Sequence, residues 1–292
     1  MASIVIKNHE IVENTLTSNV TFENNKLYIP KNSVYETPLK ITLLEDNHQE
    51  LEIIVGKNSD IKIMLEVSDS TKDVSDYKVK LITEDNVNLK YLLIAALESK
   101  SAVIAHEFII AKDNNVELLA GLVSDVLTAK MDVKIAGEGA SVKIRAIAVS
   151  SDENDQKVDV YMNHLAKNTF GEMTNIGIAN KKGRVVLNGI EKIEKGMKNS
   201  NVYQTLKGII TSDDAVVEVN PILIIDEYDI QAGHAATVGK IEEEALFYLQ
   251  SRGLTKQDAE RLVISGLLNP LLEEISDEEL KERFTELVYL RI

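Results

Sequence analysis

Leu51-Glu52-Ile53-Ile54-Val55, Gly56-Lys57-Asn58-Ser59-Asp60 and Ile61-Lys62-Ile63-Met64-Leu65-Glu66-Val67 read in succession as strand, turn and strand. The apolar residues alternate with polar ones over runs too short for a helix, and the turn between them is polar. The same rhythm continues outward from about residue 26 to about residue 232. Tyr77–Ile82, Thr83–Asn88 and Leu89–Leu97 repeat it, and so do Val142–Val149, Ser150–Gln156 and Lys157–Met162. In Val142-Lys143-Ile144-Arg145-Ala146 the alternation places one face in a core and the other in solvent. Asn, Asp, Gly and Lys dominate the turns, and the first three tolerate left-handed backbone or bond their own backbone.

This pattern predicts a mainly β protein and leaves a sandwich, a barrel or a β-solenoid open. Roughly two hundred residues is long for one sandwich, and the recurring spacing favours stacked solenoid coils. A solenoid must also cap its ends, because a bare terminal coil exposes sheet edges.

After Gly239 the period changes to that of helices. Glu242 to Arg252 is expected to form a first helix with Ala245, Leu246 and Leu249 on one face, ended by Gly253. Thr255-Lys256-Gln257-Asp258 resembles a capping box and opens a second helix through Ala259, Leu262, Val263, Gly266 and Leu267, which Pro270 is expected to stop. Ser276-Asp277-Glu278-Glu279 opens a third, with Leu280, Phe284, Leu287 and Val288 as its stripe. The organisation read from the sequence is a short N-terminal segment (1–25), a β core (26–238) and a small C-terminal α-helical domain (239–292).

The 292 residues include no cysteine and no tryptophan, so disulfides, thiolate ligands and cysteine nucleophiles are excluded. A formal charge of −15 argues against nucleic acid, and Asn180-Lys181-Lys182-Gly183-Arg184 is too short a basic run to change that. Neither a secretory leader nor an apolar stretch of membrane-spanning length is read, so a cytoplasmic protein with no membrane contact is expected. Gly137-Glu138-Gly139-Ala140 lacks the following helix and Gly-Lys-Ser/Thr of a phosphate loop and reads as a turn between coils.

Three stretches together resemble one known family. They are Asn188-Gly189-Ile190-Glu191-Lys192-Ile193-Glu194-Lys195-Gly196, then Asn220-Pro221-Ile222-Leu223-Ile224-Ile225-Asp226-Glu227-Tyr228-Asp229-Ile230, then Gly233-His234-Ala235-Ala236-Thr237-Val238-Gly239-Lys240 running on through Ser265-Gly266. In order and spacing they look like the SufD-type subunit of the SUF iron–sulfur cluster assembly system, most specifically over Val185 to Pro270. The resemblance implies a right-handed parallel β-helix core followed by a C-terminal helical domain. It also implies a non-enzymatic scaffold that pairs with a SufB-type paralogue and docks a SufC-type ABC ATPase, supporting iron supply and cluster formation at the subunit interface. Pairing of the chain with itself is the alternative to the heterodimer. No permanent cofactor is implied, only transient iron or an iron–sulfur cluster at that interface.

The chain departs from longer relatives in starting almost at the β body and in carrying Ala232 where some relatives have cysteine.

On this resemblance His234 is the candidate iron- or cluster-associated residue and tentative metal ligand, set against a histidine that merely bonds backbone at the last coil. His164, at a strand end, is a weaker second candidate. Tyr248, Arg252, Leu267, Leu268 and Pro270 are the residues expected to meet the ATPase, with the first helix capping the β body and Leu267 to Pro270 facing the partner. Two other readings stand beside this one. Asp226, Glu227 and Asp229 could serve a β-helix polysaccharide-active enzyme, although tryptophan platforms for sugar are lacking. An inert β-solenoid interaction module is the other.

Overall fold

The computed structural model describes residues 2–17, 19–44, 48–69 and 73–292. The chain opens with β1 (Ser3–Lys7), β2 (Glu10–Asn14), β3 (Thr21–Glu23) and β4 (Lys26–Ile29). It continues with β5 (Leu39–Leu44), β6 (His48–Val55), β7 (Asp60–Asp69), β8 (Val74–Thr83), β9 (Asn88–Leu97) and β10 (Ser101–Ile110). Then come β11 (Asn115–Leu122), β12 (Leu127–Ile135), β13 (Ser141–Ser150), β14 (Asp155–His164) and β15 (Phe170–Ala179). The body ends with β16 (Arg184–Ile193), β17 (Ser200–Ile210), β18 (Val216–Ile225) and β19 (Ile230–Lys240). Three helices follow, α1 (Glu243–Ser251), α2 (Lys256–Leu272) and α3 (Glu278–Tyr289).

Strands adjacent in sequence lie in opposite sheets. The first sheet runs β19-β17-β15-β13-β11-β9-β7-β5-β1-β2 and the second β18-β16-β14-β12-β10-β8-β6-β4-β3. Each body strand pairs in parallel with the strand two places later, which makes a flattened β-solenoid and rules out sandwich and barrel. One coil takes between 24 residues, from Leu39 to Ile63, and 32, from Arg184 to Val216. Residues 3–23, expected as a segment ahead of the body, carry strands of both sheets: β1 pairs in parallel with β5, while β2 and β3 fold back antiparallel on β1 and β4. β19 continues to Lys240, two residues beyond the expected edge of the core.

Stacking identical registers repeats the same turn at the same corner. Asn32, Asn58, Asn86, Asp113, Asn168 and Asn199 all have φ between 53° and 59°. Their backbone N–H groups each donate to a carbonyl of the next coil, as Asn58 does to Asp85 O at 3.1 Å. Side chains follow suit: Asn86 Nδ2 donates to Asn58 Oδ1 at 3.0 Å, Asn58 Nδ2 to Asn32 Oδ1 at 3.3 Å and Asn199 Nδ2 to Asn168 Oδ1 at 3.0 Å. Asparagine suits this corner because it accepts the left-handed region and satisfies its neighbour's amide at once.

The space between the sheets is filled by inward residues such as Ile53, Leu81, Phe108 and Val133. A second apolar layer covers the outer face of the first sheet. There Met64, Leu92, Ile94, Leu119, Ile147 and Ile176 pack under Ile264, Leu268, Leu271, Phe284 and Val288 of α2 and α3. Ion pairs stitch the layers together, with Lys40 Nζ to Asp277 Oδ2 at 2.5 Å, Lys90 Nζ to Glu274 Oε1 at 2.6 Å and Arg283 paired to the buried Glu66.

The helices depart from expectation in three ways. α1 buries none of its residues, and α2 and α3 form the cover instead, because their apolar stripes face the outward apolar residues of the sheet. Pro270 lies inside α2, which continues to Leu272. Its ring forfeits one backbone bond, to Gly266 O, in the last turn, and burial of Leu271 and Leu272 holds the helix beyond it. The cap of α3 is Asp277 rather than Ser276, since Asp277 Oδ1 accepts Leu280 N–H at 3.2 Å.

Candidate functional site at the open end of the solenoid

Along β17, Val202, Gln204, Leu206 and Gly208 point inward and are buried, while Tyr203, Thr205 and Lys207 point outward. Register pairs Gln204 with His234, and residues in register on parallel strands share a face. His234 therefore stands on the inward face of β19, in a column that runs Leu118, Ile144, Met173, Gln204, His234. It is exposed because, among the described residues, no further coil lies above it. Every residue of β19 is exposed or partly so, and the small inward Ala232 and Ala236 on either side of His234 leave the lumen uncovered.

β18 forms the other wall of this end. Val219, Leu223 and Ile225 point inward, and Ile222 and Ile224 point outward, at 43% and 40% exposure. Among the described residues β18 and β19 are the last strands of their sheets, so both present free edges as well as apolar side chains.

Beneath the open coil the interior turns polar. Gln204 is buried, donates through Nε2 to Ile222 O at 3.2 Å, and has no partner for Oε1 among the described residues. Glu191, inward on β16 and paired with Leu223, is fully buried with neither carboxylate oxygen bonded among the described residues, and burial raises its pKa to about 8. One coil deeper, His164 at the end of β14 is fully buried. Its Nδ1 meets Thr169 Oγ1 at 2.7 Å, its Nε2 has no partner among the described residues, and burial lowers its pKa to about 4. The sequence reading singled out His234 and His164 and missed Glu191 and Gln204. The phase of Leu187, Gly189, Glu191 and Ile193, every second residue of a buried strand, is the signal that finds the glutamate.

The acidic group after β18 has a different role. Glu227 accepts N–H bonds from Gly196 at 2.9 Å, Tyr228 at 2.9 Å and Asp229 at 3.3 Å, and these backbone donors, Tyr228 first, hold its carboxyl below the usual range. It pins the turn into β19.

Of the residues expected to meet an ATPase, Tyr248 and Arg252 are exposed at the end of α1, with the guanidinium 5.3 Å from the ring centroid. Phe247 beside them is 73% exposed. Pro270 is exposed and Leu267 half-buried, but Leu268 is fully buried against the sheet and serves there as a packing residue. A groove of about 560 Å³ separates α1 from the last coil, lined by Thr211, Asp213, Lys240, Leu246, Phe247 and Lys256.

The family model for "SUF system FeS cluster assembly, SufBD core domain" matches residues 43–267. The chain belongs to the SufBD core family. This SufBD core is 29% identical over 277 residues to the iron–sulfur cluster assembly protein SufD of Bacillus subtilis, covering 91% of the chain and 63% of the relative. It is 24% identical over 273 residues to a SufBD family protein of Staphylococcus epidermidis, covering 90% and 59%. With SufD of Escherichia coli it shares 27% identity over 203 residues, covering 68% and 47%. The chain thus spans between about half and about three-fifths of the length of these relatives. The open coil, its inward histidine and the exposed first helix all lie in the C-terminal part of this SufBD core. Among the described residues no helix is long and apolar enough to cross a membrane.

Proposed function

We propose that the chain is a SufD-type scaffold of iron–sulfur cluster assembly, cytoplasmic and without catalysis of its own, that works through its two exposed C-terminal surfaces. The open coil of β18 and β19 pairs with a SufB-type paralogue, placing His234 where transient iron or a nascent cluster is handled. The exposed face of α1, with Phe247, Tyr248 and Arg252, receives a SufC-type ABC ATPase. Movement driven by ATP in that partner passes through α1 and the adjoining coil to the paired ends.

The observation that carries this reading is the uncapped end itself. Two free strand edges and inward apolar side chains in water are unfavourable for a lone chain. A second solenoid end supplies both the missing hydrogen bonds and the missing cover.

Co-expression with cognate SufB-type and SufC-type chains, followed by size-exclusion chromatography with mass determination, tests it. One complex of all three is expected, and Phe247→Asp with Tyr248→Asp should release the ATPase while leaving the pair of solenoids intact. Deleting everything after Gly239 is a poorer probe, because it strips α2 and α3 from the apolar outer face of the first sheet. A chain that remains a monomer with both candidates overturns the reading. One that pairs only with itself replaces the heterodimer with a homodimer.

A further inference from the structure

Buried polar groups without partners are rare in folded proteins, and each one calls for an explanation such as an ordered water or an ion. Three such groups lie on neighbouring strands under the open coil: both oxygens of Glu191, Oε1 of Gln204 and Nε2 of His164. They are not scattered. Gln204 crosses from the first sheet to bond Ile222 O on the second, and Ile222 is next to Leu223, the register partner of Glu191. Glu191 pairs with Met162 on its other side, two positions from His164 along β14, a diagonal of about 8 Å between Cα atoms by strand geometry.

The glycines around the cluster keep it open to long side chains. A Cβ on Gly171 would lie 2.7 Å from His164 Nε2 and 2.6 Å from the Met162 sulfur. One on Gly189 would lie 2.8 Å from the Met173 sulfur. Inward side chains of β14 to β17 thus bring a carboxylate, an amide oxygen, an imidazole nitrogen and two thioethers to the lumen under the open coil.

We infer that Glu191, Gln204 Oε1 and His164 Nε2 form an internal acceptor site for one divalent first-row transition-metal ion, entered through the open coil past His234. Carboxylate and imidazole are the donor types such ions take, and thioethers beside them suit the softer end of that series. Among the described residues His, Cys, Asp and Glu side chains nowhere converge in threes, so the amide of Gln204 is needed to complete the set. The small residues of β19 leave the route from His234 to Gln204 uncovered, and capping by a partner would then shut the ion inside. The site gives a place to the iron handling proposed above and rests on that role for its meaning, though not for its test.

The test uses the whole chain and Co²⁺ as probe, followed by visible absorption and titration calorimetry. One ion per chain is expected, with ligand-field bands that shift or vanish in Glu191→Gln and an affinity at least tenfold weaker. Gln204→Leu should weaken binding as well, and it keeps the test open if the first variant folds poorly by circular dichroism. No Co²⁺ binding by the unaltered chain, or equal binding by well-folded Glu191→Gln and Gln204→Leu, overturns the site. A chain that joins its partners and binds no ion loses this site alone. A chain that binds the ion and joins no partner keeps the site and loses the assembly role.

Discussion

Gln204 and His234 occupy one register on neighbouring strands and face the same interior, yet Gln204 is buried and His234 is exposed. The difference is the missing coil above His234, not the local sequence. Any surface that caps the solenoid converts His234 into a second Gln204, desolvated and held over a polar lumen. This is how an end of a repeat structure becomes a site: the repeat supplies rigid walls, and the last unit leaves its inward groups for a partner.

The outward residues of the last strand give the first prediction. Ile222→Lys with Ile224→Lys replaces two exposed apolar groups on β18 without touching the lumen. The melting temperature of the isolated chain should barely move, since exposed substitutions of this kind usually stay within about 0.5 kcal/mol. Association with the partner solenoid should weaken at least tenfold in sedimentation or mass photometry. Unchanged association would place the interface elsewhere.

The asparagine corner gives the second. Asn58 lies in the left-handed region at φ 58°, donating to Asn32 and accepting from Asn86. Asn58→Gly keeps the conformation and loses the side-chain bonds, whereas Asn58→Ala loses both. Urea denaturation should rank them wild type, Gly, Ala in falling stability, with alanine costing about 1–3 kcal/mol. Equal stability of the two variants would mean that the backbone conformation contributes nothing.

The sequence made the strand rhythm and the late change to helices legible, because period-two and helical patterns are local. Two features were legible only in hindsight. Tyr91-Leu92-Leu93-Ile94-Ala95 and Ala146-Ile147-Ala148-Val149 break the alternation with continuous apolar runs, the mark of strands covered on both faces, and that cover proved to be α2 and α3. Glu191 sits in a stretch that carried the family resemblance, so its inward phase went unread. The roles of Leu268 and α1 were exchanged because a helix stripe shows that a face is buried but not against what. The site at the open end depends on stacking residues about thirty positions apart, and one-dimensional patterns do not align those by themselves.

His106 gives the third prediction. Its Nε2 meets Tyr91 Oη at 2.8 Å, it stacks on Phe108 with centroids 5.6 Å apart, and burial lowers its pKa to about 3. In the unfolded chain histidine titrates near 6.5, so below that pH the unfolded state binds a proton that the folded state refuses. The contribution is intact above about pH 6.5 and is lost as pH falls toward 3, at up to about 1.4 kcal/mol per pH unit. His106→Phe should remove that slope while costing a pH-independent penalty of about 1–3 kcal/mol for the unpaired Tyr91 hydroxyl. Chemical denaturation at pH 7, 5.5 and 4.5 reads both, and parallel curves for the two proteins would contradict the buried neutral histidine.

The fourth concerns the seam between helices and sheet. Phe284 of α3 is fully buried, and its ring lies against Gly121 of β11: a Cβ at Gly121 would approach Phe284 Cε2 and Cζ to 2.8 Å. The glycine is thus a socket for the ring, and the two positions should behave as a pair. Phe284→Ala should cost about 3–5 kcal/mol by emptying the socket, and Gly121→Ala about 1–3 kcal/mol by overfilling it. In the double variant the new methyl occupies part of the space the ring left, so the combined loss should fall short of the sum by more than about 0.5 kcal/mol, beyond the scatter of independent sites. Strict additivity in a urea double-mutant cycle would show that α3 does not seat on β11 through this contact. Because α2 and α3 share one apolar layer with the sheet, Phe284→Ala should also raise amide exchange across α2, whereas α1, which buries nothing, should exchange as before.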